Sequence, residues 1–171
     1  MPRKTHQVEV RLLSEYLEEY YSKTHILVNQ PLGLIDKNLM AEQGYEKAIN
    51  MMRPLRPRVD AIILLPRYLV LVEAKVWSVV NGLAKLPLYK SLVPVTPELK
   101  EYQNRETLMY LVVAWSNPNL EIMARESGVE VKVFNPPWIQ EVVNRMHNYW
   151  TAEYQTQRQE KLAMREYFGV E

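Results

Sequence analysis

Cysteine is missing from all 171 residues of the chain. Disulfides, thiolate-ligated zinc, iron–sulfur clusters and thiol catalysis are therefore excluded. The three histidines, His6, His25 and His147, are scattered, which argues against a histidine-rich metal site. Glycine is scarce: Gly33, Gly44, Gly82, Gly128 and Gly169 are the full set, and no two lie close together. Neither a phosphate-cradling P-loop nor a dinucleotide fingerprint can be written with them. No serine sits in a Gly-x-Ser-x-Gly elbow. No apolar run approaches the roughly 20 residues of a membrane span, and the opening MPRKTHQVEV lacks the apolar core of a signal peptide. These absences set the expectation of a cytoplasmic protein, or a virion component if the origin is phage, with no membrane partner.

What is present is a chain long enough for one domain with a real core. The net charge of +1 says little, but its distribution says more. Between Arg53 and Lys90 seven basic residues (Arg53, Arg56, Arg58, Arg67, Lys75, Lys85, Lys90) accompany only two acids, Asp60 and Glu73. Such a stretch is either a solvated basic edge or a phosphate-binding surface around two carboxylates.

Hydrophobic periodicity predicts a helix over 5–23, with Leu13, Tyr16, Leu17 and Tyr20 on one stripe. A short strand follows at 25–31, then a helix over 36–52 with Asp36 as N-cap. Strands at 59–65 and 68–76 are separated only by Pro66-Arg67, which predicts a hairpin. A helix over 80–92 is expected, with Pro87 read as its opening residue. A strand at 107–115, a short helix closed by Gly128, an edge strand at 129–134 and a long helix from Pro137 complete the order. The fold class is α/β, a central mixed β-sheet flanked by helices. Residues 1–150 are read as a single domain, and 151–171, rich in Gln, Arg, Glu and Lys, as an exposed helical extension of it.

The strand YLVLVEAKV is apolar until Glu73 and Lys75, which share one face because residues two apart point the same way. If Leu65 and Tyr68 close the hairpin, Asp60 falls opposite Glu73, with Cβ atoms roughly 5 Å apart. Two carboxylates that close repel unless a cation sits between them, and hard oxygen ligands suit Mg²⁺ or Mn²⁺. Lys75 would then place positive charge beside an attacking water.

Asp60 followed on the next strand by Glu73-Ala74-Lys75 resembles the PD-(D/E)xK nuclease superfamily. The family core is α-β-β-β-α-β, which residues 5–115 fit, leaving the last strand and long helix as additions. The resemblance implies that Asp60 and Glu73 bind Mg²⁺, that the backbone of Ala74 adds a ligand, and that Lys75 assists the attacking water. Val59 stands where the family often has proline. Many members add a glutamate from the first helix. Of Glu9, Glu15, Glu18 and Glu19, only Glu9 falls inside the apolar stripe on a helical wheel, where a charge needs a reason. Some members carry Gln-x-x-x-Tyr on the following helix, and here the spacing gives Lys85-x-x-x-Tyr89.

The expectation is a Mg²⁺-dependent endo- or exodeoxyribonuclease, with Asp60, Glu73, Lys75 and Glu9 catalytic. Arg53, Arg56, Arg58, Lys85, Tyr89 and Lys90 are its candidate DNA contacts. Two alternatives stay open. One is a nuclease-fold assembly protein, for example of a phage head or neck, meeting its partner or a second copy through the C-terminal helix. The other is a DNA-binding module with a dead site.

Overall fold

The computed structural model describes residues 4–146 and, beyond them, residues 156, 158–160, 164 and 167. The chain divides into two compact units, Met1–Phe134 and Asn135–Glu171. The first unit runs α1 (Lys4–Tyr21), β1 (His25–Pro31), α2 (Lys37–Gln43), α3 (Tyr45–Met52), β2 (Arg58–Leu64), β3 (Tyr68–Lys75), α4 (Val79–Leu92), β4 (Glu106–Val113), α5 (Pro118–Glu126) and β5 (Glu130–Val133). Two 3₁₀ turns, Val93–Val95 and Pro97–Tyr102, join α4 to β4. The second unit opens with α6 (Pro137–Met146). The extension expected over 151–171 lies outside the described residues except at 156, 158–160, 164 and 167, which are helical and exposed. No helix among the described residues is long and apolar enough to cross a membrane.

Five strands form one mixed sheet in the order β1-β2-β3-β4-β5. The first three are antiparallel neighbours, while β3-β4 and β4-β5 are parallel. Parallel neighbours need a crossover, and α4 and α5 provide the two. The chain is thus α/β, as its alternating runs predict.

Central β3 is buried from Leu69 to Ala74, so its apolar run does not alternate. On one face Leu69 and Leu71 join Leu83, Leu86 and Tyr89 of α4 and Leu111 of β4 in the main core. The alternate residues Val70, Val72 and Ala74 are buried too, and α1, which packs on β3, buries Leu12, Leu13, Tyr16 and Leu17. Helix-period and strand-period patterns therefore agree on which faces are buried on both sides of β3, the consistency a funnelled fold requires.

Two local expectations are corrected. The helix read over 36–52 is broken at Gly44, whose φ of 78° ends α2 and begins α3. The apolar period continues across the break, so it alone could not reveal a left-handed residue there. Asp36 does cap α2, accepting from the Asn38 and Leu39 N–H groups. Pro87 lies inside α4 and does not open it. Its missing N–H and ring cost helix stability. Buried Leu83, Leu86 and Tyr89 on either side offset that cost.

Arg56 is also corrected. It is no candidate for a phosphate contact, because its side chain is 2% exposed and paired with Glu98 at 2.5 Å. The guanidinium also donates to the carbonyls of Pro31, Leu32 and Gly33, locking the loop after β1. Breaking a buried pair strands a charge, so Arg56→Met is expected to lose roughly 3–5 kcal/mol in urea unfolding.

Candidate functional site

The β2–β3 hairpin sets the site. Leu65 and Tyr68 close its tip with reciprocal backbone hydrogen bonds of 2.9 and 3.3 Å. Pairing runs from Leu64↔Leu69 to Ala61↔Val72, and continuing that register puts Asp60 opposite Glu73. The backbone ladder stops one pair short, and there the Asp60 carboxylate accepts a hydrogen bond from the Ala74 N–H at 3.0 Å. Ala74 thus holds one carboxylate in place while its neighbour Glu73 carries the other.

Glu73 is 1% exposed, and both its carboxylate oxygens are buried without a hydrogen-bond partner. Burial, with the nearby Asp60 charge second, pushes its pKa up to about 8, against the opposing pull of Lys75 and Lys85. Asp60 stands close enough to add to this rise, and Glu73 in turn adds to the rise that burial causes in the Tyr89 hydroxyl. Neither meets Glu73 at hydrogen-bonding distance and angle together. A buried carboxylate with no donor is costly, and it is the type of group a cation satisfies.

Lys75 ends β3 with its ammonium 3.1 Å from Glu9 and 3.7 Å from Glu73. Burial pulls its pKa down, but Asp60, Glu9 and Glu73 more than reverse that, leaving it raised. It is a fixed positive charge at neutral pH and not a base. Glu9 reaches it from α1 and also accepts from the Val76 N–H at 3.4 Å. The structure therefore brings together Glu9, Asp60, Glu73 and Lys75 from three elements.

The remaining candidates are placed differently. Tyr89 is buried in the core cluster, and burial with Glu73 and Asp60 nearby raises its pKa. It is a wall behind Glu73 and not a surface contact for DNA, because its ring is spent in the core. Lys85, on the same helix, is exposed and near enough to pull Glu73 down electrostatically. Arg58 shares a strand face with Asp60 two residues on, and its guanidinium donates to the Arg53 carbonyl at 3.2 Å. Arg53 and Lys90 are exposed at the ends of α3 and α4.

Two residues of the site were not signalled by the sequence. Gly82 lets α4 cross the end of β3, since a Cβ there would stand 2.6 Å from Cγ of Lys75 and 3.0 Å from Leu111. Gly82→Ala should displace the lysine stem and with it the Lys75–Glu9 ion pair. Asn29 has a φ of 51° inside β1. Its neighbours pair as Val28↔Ala61 and Gln30↔Val59, so the unpaired Asn29 faces the position of Asp60. Asparagine tolerates the left-handed region, and strain of this type gathers at functional sites. A lone Asn in a strand gives no such hint beforehand.

A groove of about 570 Å³ opens between α1 and the sheet and ends at Asp60 and Lys75. Among the described residues no three or more His, Cys, Asp or Glu side chains are grouped as metal ligands. A cation here would rely on the carboxylates of Asp60 and Glu73, with backbone or solvent oxygen completing its shell. The unpartnered Glu73 oxygens fit that demand. Comparison of the chain with models of known protein families, with curated proteins and with solved structures finds no match.

Proposed function

We propose that this chain is a Mg²⁺- or Mn²⁺-dependent nuclease of the PD-(D/E)xK kind, hydrolysing DNA phosphodiesters. One observation carries the reading. Glu73 is buried with no hydrogen bond to either carboxylate oxygen, one pair beyond the β2–β3 ladder on the side of Asp60, and 3.7 Å from the Lys75 ammonium. Lys75 offsets part of the repulsion between the two acids but hydrogen-bonds neither Glu73 oxygen, and a metal cation between the carboxylates would satisfy both. The order α1-β1-β2-β3-α4-β4, with only α2 and α3 interposed, is compatible with the superfamily core.

In this reading Asp60 and Glu73 hold the cation, which when bound supplies positive charge at the scissile phosphate and acidifies an attacking water. Lys75 stabilises negative charge developing on the phosphate. Glu9 positions Lys75, fixing its ammonium from the α1 side. The Ala74 N–H orients Asp60. Lys85 and Arg58 supply charge for flanking phosphates. Plasmid, linear duplex and branched DNA incubated with and without Mg²⁺ or Mn²⁺ test the proposal. Cleavage should need the cation and vanish in Asp60→Asn. Absence of cleavage with every substrate and either ion refutes it.

A further inference from the structure

The groove that ends at Asp60 and Lys75 is not needed to hold a cation, and it asks for an occupant. Its walls are Val10, Leu13 and Leu17 of α1 against Ile26 and Val28 of β1. Asn29, Ser14 and His6 are polar side chains of its lining, and Glu9 adds a carboxylate beside Lys75. Lys75 is the one fixed positive charge there, so a phosphate backbone cannot run along it. A phosphate can be held only at the end where Lys75 and the carboxylates stand. What enters beyond that point must be uncharged, flat or compact, and tolerant of apolar walls. A nucleobase with its sugar has those properties.

Size points the same way. The volume of about 570 Å³ lies within the roughly 300–1,000 Å³ range of pockets that take one small ligand. It is far too small for stacked, paired DNA. Val10 and Val28 are 52% and 67% exposed on opposite walls, so the apolar surface is open to solvent and ready to be covered. Unstacking a paired base costs a few kcal/mol, which a nucleotide already single-stranded does not incur.

We infer that the groove receives one unstacked nucleotide adjoining the scissile phosphate, so that the substrate is single-stranded DNA or a single-stranded stretch within a duplex. This rests on the nuclease reading. Asn29 and Ser14 can hydrogen-bond a base edge, while the apolar walls accept any base, so little sequence preference is expected.

Two readouts test it, binding and cleavage. Fluorescence anisotropy with a labelled oligonucleotide, in Ca²⁺ to hold the carboxylate site, should show at least roughly tenfold tighter binding of a single strand than of the blunt duplex. Val10→Trp and Val28→Trp each fill the groove from an exposed position. Each should weaken single-strand binding roughly tenfold while the Mg²⁺-dependent melting shift persists. Melting of each variant establishes that it folds, and either one suffices. If duplex binds as well as single strand, or both variants bind normally while the wild type cuts DNA, the groove assignment fails and the nuclease reading stands. If the wild type neither cuts nor responds to Mg²⁺, both fail together.

Discussion

Glu73→Gln is expected to melt well above the wild-type protein in chelated buffer at a pH above 8, and level with it below 4.5. The unfolded chain releases the Glu73 proton near 4.5, whereas the folded protein retains it up to about 8. Between those values the unfolded state is the one that gains from deprotonation. Wild-type stability therefore falls as pH rises through that window, and the loss is complete above it. At about 1.4 kcal/mol per pH unit the penalty is on the order of 5 kcal/mol, or roughly 10–20 °C in Tm for a chain of this size. Glutamine has the shape of the protonated acid and carries no titrating proton, so it removes the slope and leaves the low-pH limit unchanged. The Arg56–Glu98 pair holds the Glu98 carboxyl below its ordinary range, and the stability it contributes is lost from both proteins alike as Glu98 protonates in acid. Thermal melts of the two proteins across this pH range are the measurement. Parallel pH profiles would mean that Glu73 ionises freely and that no repulsion is stored opposite Asp60.

Lys75→Met is expected to lower cleavage by roughly a hundredfold or more while Mg²⁺ still raises the melting temperature. The lysine lies within 3.7 Å of Glu73, yet donates no oxygen to a cation, so the carboxylate pair survives its removal. What disappears is a charge that three carboxylates keep protonated. Because Lys75 also holds Glu73 down, its loss should move the pH at which the cation binds upward. Glu9→Gln should have a smaller effect of the same kind, since the ammonium remains but loses its 3.1 Å partner. Single-turnover cleavage with saturating Mg²⁺, read beside the melting shift, separates the two roles. A variant that loses the melting shift along with cleavage would make Lys75 a structural part of the cation site.

The site was more legible in the sequence than its surroundings, for physical reasons. Only Pro66-Arg67 separates two apolar runs, so the hairpin has one register with a two-residue tip, and that register places Asp60 opposite Glu73. A helical wheel puts the Glu9 charge on the apolar stripe of α1, which marks it as facing the sheet, but the wheel does not name Lys75, 66 positions along, as its partner. Arg56 could not be read this way. Its partner Glu98 lies 42 positions along the chain, so a buried lock and a solvated basic edge look identical in the string RPLRPR. The groove was illegible for a related reason. It needs α1 laid beside β1, and that contact is set by the packed fold and not by either segment's pattern.

Titration of Mn²⁺ into the wild-type protein, followed by calorimetry, asks whether Asp60 and Glu73 hold a cation. Saturable binding at one site is expected, stronger above pH 8 than near neutrality because the cation must displace the Glu73 proton. Asp60→Asn and Glu73→Gln, each folded by its own melt, should each abolish that binding. A wild-type protein that takes up no Mn²⁺, or whose uptake survives both substitutions, would contradict the assignment of these two carboxylates to a cation.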